Sequence, residues 1–434
     1  MSFFWTKYSP LEGEVSLQDP LAFDYFAQTL GNVILPAFTS RTSRARYYSM
    51  VCYGIYITHK YLESIKAPIT EESIKKEFVL YEKYWARAIA GWYNISGGGL
   101  AERDGKEEGF RGKRAAISAA KNANLTSLGE RYTFLTRQLE LGSFGAYRSS
   151  LEYLELVDSF LHLTHKGKRL ADSFIEDRYA ALVQKAIKEE RIVEKEGQAT
   201  LHAFGSKSRL DAFKDDSSES EEQKNLREMI MDHPSVSTPA RLIKRYYGNG
   251  NVLSAINSIA AHAPSSPAEE IIVCGFQTIE ACEILCVHLS KIWCSLIDAA
   301  IVKLNVVSDA EATASCETLL DTLYAENLIG NLMHSPCYIN LVNSFHGASL
   351  DIFLRQHVSQ TQRGTFILDL VRYHIEIMSR RHSGSWVQLD GKNILVLTGF
   401  DYPQKIRNKD NLHDYKISNV MSLIADTGWK TDVG

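Results

Sequence analysis

The sequence has little that would tie the whole chain to a charged partner or staple it in an oxidising compartment. Its 48 basic residues are outnumbered by 52 acidic ones, for a formal net charge of -4. Any nucleic-acid contact must therefore come from a local patch. The 7 cysteines are an odd number and lack the C-x2-C pairs of a zinc site. Cys274, Cys282, Cys286 and Cys294 sit among Ile, Leu, Val and Trp, which predicts metal-free core residues in a reducing compartment, the cytoplasm. No run of about 18 uncharged apolar residues is present, so no membrane span is expected. The opening MSFFWTKYSPLEGE has no basic stretch followed by an apolar one, so no secretory leader is expected. No internal repeat is visible.

Catalytic motifs are missing as well. A phosphate-binding loop needs G-x-x-x-x-G-K-[ST], but Gly112-Lys113 is followed by Arg114, and Glu107 stands where the first glycine belongs. Neither G-x-S-x-G nor H-E-x-x-H occurs. A metal-dependent nuclease needs carboxylates and a lysine around a divalent ion. Asp390-Gly391-Lys392 and Glu222-Gln223-Lys224 have its final spacing, but the first reads better as a hairpin turn and the second lies beside a linker. No cofactor is expected, and the reading leans away from an enzyme.

What is there is an ordinary globular balance, 45% hydrophobic and 23% charged over 434 residues. At roughly 100–200 residues per domain this predicts two to four domains. Helical spacing dominates, so the fold class is mainly α and multi-domain, with helix above roughly 40%. After Pro68, Thr70 can cap a helix, Glu71 and Glu72 favour its positive end, and Ile74, Phe78, Tyr81, Trp85 and Ile89 form one stripe. Residues 1–114 read as an N-terminal helical domain. Residues 115–203 read as helices at 115–125, 131–141 and 146–157, a short strand at 160–163, and a helix restarting at Thr164, where Thr164 caps and Gly167 relieves crowding. Residues 204–226 read as a mobile acidic linker, because Asp215 to Glu222 holds only acids and serines. Residues 227–434 read as a C-terminal helical domain with an apolar core at 269–306, a hairpin at 386–397 around Asp390-Gly391, and a closing helix at 414–425.

The 115–203 segment resembles a winged helix in its element order and in LTHKGKRLADSF. That resemblance makes Arg137, Arg148, Lys166, Lys168 and Arg169 candidate phosphate contacts; the competing reading is a solvated surface on a module that docks protein. The helix expected from Thr39 places Arg41, Arg44 and Arg46 in a first turn, where the helix dipole disfavours cations by about 0.3–1 kcal/mol each. Arg41, Arg44, Arg46 and Tyr48 are thus candidate anion or partner contacts, with an internal ion pair as the favoured alternative. The first 60 residues are rich in hot-spot residue types, including Phe3, Phe4, Trp5 and Tyr8. His346, His357, His374 and His382 are expected in ordinary interhelical roles.

Three stretches together, LGNVILPAFTSRTSRARYYSM (30–50), LTHKGKRLADSF (163–174) and HDYKISNVMSLIADTG (413–428), resemble accessory proteins of bacterial phage-defence systems that accompany an SMC- or ABC-type ATPase, of the Lamassu or Menshen kind. The resemblance implies a non-ATPase subunit of a complex acting on DNA, and it carries over no catalytic residue. The function expected is a non-catalytic accessory subunit, with protein partners and DNA within reach and no membrane. A free-standing DNA-binding regulator and an unrecognised metal-dependent nuclease are the alternatives.

Overall fold

The computed structural model describes residues 19–95, 110, 112–122, 126–129, 132, 134, 135, 137–211, 213, 219–248, 250–397, 410 and 412–430. It is about 68% helical with two small sheets, the mainly α architecture that helical spacing predicts. In chain order the elements are α1 (Phe23–Ile34), α2 (Arg46–Ser64), α3 (Glu71–Ile95), α4 (Lys113–Lys121), α5 (Gln138–Leu141), α6 (Ser143–Tyr153), α7 (His165–Phe174) and α8 (Ala180–Glu189). The hairpin β1 (Lys195–Glu196) and β2 (Ala199–Thr200) precedes α9 (Leu201–Ser208), α10 (Glu221–Leu226), α11 (Pro234–Tyr246), α12 (Val252–Ala260) and α13 (Pro267–Val302). Strand β3 (Val306–Ser308) leads to α14 (Asp309–Ser315), α15 (Glu317–Ala325), α16 (Leu328–Met333), α17 (Tyr338–Val342), α18 (Gly347–His357) and α19 (Phe366–Arg380). Strands β4 (Val387–Asp390) and β5 (Asn393–Val396) and helix α20 (Ile417–Thr427) close the chain.

Two compact units are present, each assembled from distant pieces of sequence. The arginine unit comprises Leu35–Arg241 with Lys416–Gly434; the long-helix unit comprises Leu242–Tyr415 with the described residues of 1–34. These limits differ from the boundaries expected near 114, 203 and 226. The reason is a set of polar contacts that no local pattern announces. In the arginine unit, the buried ammonium of Lys416 donates to the carbonyls of Leu35 (2.8 Å) and Phe38 (2.5 Å), and Asn419 donates to that of Thr39 (3.0 Å). In the long-helix unit, His374 of α19 bonds the Pro20 carbonyl at 2.8 Å, and Arg381 bonds Asp19 at 2.8 Å.

The core of the arginine unit is the expected stripe of α3. Ile74, Phe78, Tyr81, Trp85 and Ile89 are all buried, each stabilising by about 1.5–3 kcal/mol if fully withdrawn from water. Thr70 caps this helix as expected, accepting the N–H of Ser73 at 3.2 Å while Ser73 Oγ accepts that of Thr70 at 2.9 Å. Helices α4, α8 and α9 pack on α3, and α7 packs along α2, so residues 115–203 share their core with the helices before them. Helix α2 starts at Arg46 and not near Thr39. Thr42 Oγ1 both accepts from the Thr39 N–H (3.0 Å) and donates to its carbonyl (2.9 Å), a local turn that competes with helix.

Among the described residues of the helix expected at 131–141, only the single turn α5 is helical, and the helix expected at 146–157 starts earlier, as α6. Glu82 of α3 explains both: it accepts from Gln138 Nε2 (2.7 Å) and from the N–H of Ser143 (2.5 Å), which fixes a break between the two. The strand expected at 160–163 is one bridge, Val157 to Leu163. Thr164 caps α7, accepting from Gly167 N–H at 3.3 Å. A Cβ on Gly167 would lie 2.0 Å from the Leu156 carbonyl oxygen, so no larger residue fits there.

In the long-helix unit α13 runs 36 residues, started by Ser266, whose Oγ accepts Glu269 N–H at 3.3 Å, and by Pro267 at its first turn. Helices α1, α12, α14 and α16 pack around it. By length and composition it is apolar enough to cross a membrane, but 67% of its most apolar window is buried within the structure, as in a core helix. Cys282, Cys286 and Cys294 lie in that core and Cys274 is half-buried. The hairpin forms as expected, with Val387 opposite Val396 and Asp390 opposite Asn393, and Gly391 at φ +60°. Strand β3 adds to β5, giving the antiparallel order β3-β5-β4.

Candidate functional site

Four of the five expected phosphate contacts are matched by carboxylates of the same unit. Arg148 on α6 bonds Glu71 at 2.5 Å and Glu152 at 2.9 Å; Arg137 bonds Glu140 at 2.9 Å. Lys166 bonds Glu155 at 2.7 Å, and Arg169 bonds Glu228 at 3.0 Å and Asn225 at 2.7 Å. Lys166 holds the Glu155 carboxyl below its ordinary range, and Arg169 does the same to Glu228. Only Lys168, which is exposed, has no ion pair among the described residues. Each of the other four cations thus has a carboxylate partner within its own unit.

Between α6 and α7 the same segment presents an aromatic side chain that the sequence reading absorbed into a strand. Phe160 is 66% exposed, while its neighbour Leu161 is 1% exposed. The turn that holds it is fixed at four points. Asp158 Oδ1 accepts the N–H of Phe160 (2.9 Å) and of His162 (2.8 Å), the Asp158 N–H donates to the His162 carbonyl (2.9 Å), and the Leu161 N–H donates to the Asp158 carbonyl (3.1 Å). Leu161 takes a left-handed backbone, φ +67°. That conformation is unfavourable for a branched residue, and it buries Leu161 while turning Phe160 outward.

The arginine cluster is drawn inward. Arg44 Nε bonds Asp426 of α20 at 2.9 Å, and the Ala45 N–H shares that carboxylate at 3.0 Å. Arg46 is 4% exposed and so is Glu222; Arg46 Nε meets both Glu222 oxygens at 3.1 and 3.0 Å, and its other nitrogens donate to the carbonyls of Phe174 (3.2 Å) and Arg209. The rings of Phe174 and Phe213 lie 4.9 and 5.3 Å from the guanidinium carbon. Burial pushes the Glu222 carboxyl up to about 7 against the pull of Arg46. Tyr48 is buried, its hydroxyl 2.6 Å from Ser150 Oγ. Arg41 is exposed and donates to the Glu140 carbonyl at 3.3 Å. Phe3, Phe4, Trp5 and Tyr8 lie outside the described residues.

Glu222 also corrects the expected linker. Residues 215–218 lie outside the described residues, but Ser220 caps α10 at 3.1 Å from the Gln223 N–H, and Glu222 is buried. A run without apolar residues is pulled into the core by one desolvated arginine, a partner that lies 176 positions away. Beside this pair is a cavity of about 610 Å³ lined by Arg46, Phe174, Arg209, Phe213 and Gln223. The two sequences with nuclease spacing have structural roles: Glu222 holds Arg46, and Asp390 pairs with Asn393 at the hairpin turn.

The long-helix unit has a buried polar centre at Glu283. Glu283 Oε2 accepts from His413 Nδ1 and from Tyr415 Oη, each at 2.7 Å, while Oε1 accepts the N–H groups of Leu412 and His413. His413 Nε2 lies 3.4 Å from Asp24. Burial alone would lower the His413 value, but Asp24 and Glu283 raise it to about 10. His346 and His374 are lowered to about 4, chiefly by burial. No group of three or more His, Cys, Asp or Glu able to hold a metal is present among the described residues. Sequence reasoning missed Glu82, Glu283 and Asp426, which lie in plain helical contexts with no local signal.

No protein-family model, curated protein or solved structure matches the chain.

Proposed function

We propose that the protein is a non-catalytic accessory subunit of a cytoplasmic multi-protein complex, and that the turn between α6 and α7 docks a partner protein. One observation carries this reading: Phe160 stands in solvent on a turn fixed by Asp158, in a segment whose cations Arg148, Lys166 and Arg169 are each matched by a carboxylate. An exposed aromatic held by a hydrogen-bonded turn has the make-up of an interface hot spot, because it can be desolvated at little ordering cost. A phosphate-reading face would instead leave its cations in excess. In the setting that the sequence resemblance implies, the partner is an SMC- or ABC-type ATPase and the complex acts on DNA in phage defence.

The test is co-purification. The tagged chain, expressed with the products of its neighbouring genes, is expected to retain a partner that Phe160→Ser releases while the variant keeps its circular dichroism and melting temperature. The isolated chain is expected to leave duplex DNA unshifted at physiological salt. Tight DNA binding by the isolated chain, steeply weakened by salt and by Lys168→Ala, overturns the reading in favour of a DNA-binding regulator.

A further inference from the structure

The sheet β3-β5-β4 has one face against α13 and one face open. Helix α13 packs on β3 and on β5, and Val307 and Ile394, which pair across those strands, are buried. Successive residues of a strand alternate between faces, so the next cross-strand row points away from the core. That row is Val306, Leu395 and Gln388. Val306 and Gln388 are exposed, Leu395 is half-buried, and none of the three is charged.

The chain entering β3 extends this open face. At the end of α13, Ile301 and Val302 are exposed, Val302 by 83%, and Leu304 is 90% exposed. Leu304 and Asn305 both take left-handed backbones, φ +59° and +70°, a conformation unfavourable for a branched residue. The Val396 N–H donates to the Asn305 carbonyl at 2.9 Å, which carries the pairing one step beyond β3 and brings Leu304 level with the exposed Leu397. Lys303 is the one charged residue between Ile301 and Val306, and Glu311 matches it. Asp390 and Lys392, at the hairpin end, are of opposite sign.

Ile301, Val302, Leu304, Val306 and Leu397 together leave roughly 500 Å² of side chain in water, near the top of the range for a monomer. A stable interface buries about 800 Å² on each partner, and in homodimers about 65% of it is apolar. The open face therefore holds the apolar core of one such interface. Its residues can meet a copy of themselves without repulsion, as twofold association requires. Strand addition at the β3 edge is blocked, because the N–H groups of Val306 and Ser308 already go to the Lys303 carbonyl (3.4 Å) and the Glu311 carboxylate (3.1 Å).

We propose that the chain forms a twofold homodimer through the open face of this sheet and the end of α13, with Leu304 as its main anchor. A second copy meets the face and not the edge, so association closes at two chains.

The experiment is sedimentation velocity of the full chain over a micromolar concentration series. The wild type is expected at twice the chain mass. Leu304→Asp is expected to sediment as a monomer with unchanged circular dichroism, because the substitution enters the interface twice and weakens it by roughly a hundredfold or more. Val302→Ser is expected to shift the equilibrium the same way by a smaller factor, and it decides the matter where Leu304→Asp loses its fold. Ile339→Ser, an exposed apolar position on α17, is the control and is expected to stay dimeric. The proposal is overturned by a wild type that stays monomeric across the series, by an open-ended assembly, by a dimer that both Leu304→Asp and Val302→Ser leave intact, or by one that Ile339→Ser dissolves equally.

Discussion

Two ion pairs in the arginine unit, Arg46–Glu222 and Lys166–Glu155, are built from the same chemistry in opposite surroundings. Lys166–Glu155 is the shorter, 2.7 Å against 3.0 Å, yet its members are 45% and 71% exposed while those of Arg46–Glu222 are 5% and 4%. In water, solvent and salt replace either partner almost without cost. In the core neither partner has a substitute, and the raised Glu222 value means that Arg46 does not recover the whole cost of burying that carboxylate. The buried pair therefore fixes where α10 sits, and the exposed pairs leave a surface free to meet something else.

Breaking the buried pair should have the largest effect. Glu222→Ala leaves Arg46 desolvated without its carboxylate, and is expected to destabilise the arginine unit by about 3–5 kcal/mol, measured as the shift in its urea midpoint. The double variant Arg46→Leu, Glu222→Leu removes both charges and should recover most of that loss. A single variant as stable as the wild type would show that α10 is held by its apolar contacts alone.

The long-helix unit supplies the second test. Loss of the His413 side chain, as in His413→Ala, removes a charged hydrogen bond to Glu283 and is expected to cost about 2–3 kcal/mol at neutral pH. Because the folded value of about 10 lies above the ordinary 6.5, the stability this histidine contributes is fully present below pH 6.5 and is lost as pH rises through about 10. The gap between wild type and variant should therefore narrow over that window in denaturation curves. A gap that widens toward alkaline pH would reverse the assignment of His413 as the charged member.

A smaller effect tests the backbone beneath the exposed turn. Gly167→Ala puts a methyl against the Leu156 carbonyl and should destabilise by about 1–3 kcal/mol, read from the melting curve. This site was legible in sequence, as were the α3 stripe, the Thr70 and Thr164 caps and the Asp390-Gly391 hairpin. Each depends on residues a few positions apart, whose spacing and turn chemistry are written locally. The partners of Arg44, Arg46 and Gln138 were not legible. Asp426, Glu222 and Glu82 lie at long sequence separation, and in a single sequence nothing distinguishes an acid destined for a buried arginine from one destined for water. The same limit hid the contact of Lys416 with the Leu35 carbonyl, 381 positions away. It also read Phe160 as a strand residue, because an apolar run shows no sign of which member a left-handed neighbour will turn outward.

The smallest effect on stability should accompany the largest effect on association. Phe160 contributes little packing within its own chain, so Phe160→Ser is expected to change folding stability by no more than about 0.5 kcal/mol. Asp158→Ala acts differently: it keeps the aromatic ring but removes the carboxylate that accepts the N–H groups of Phe160 and His162. If docking depends on a ring held ready in one position, both variants should weaken partner retention, Phe160→Ser through lost contact and Asp158→Ala through the ordering cost restored to the turn. Titrating the retained partner against each variant separates the two causes. Loss with Phe160→Ser alone means the ring suffices without its support. Retention by both variants means that the exposed turn is surface only, and that the subunit must be held elsewhere.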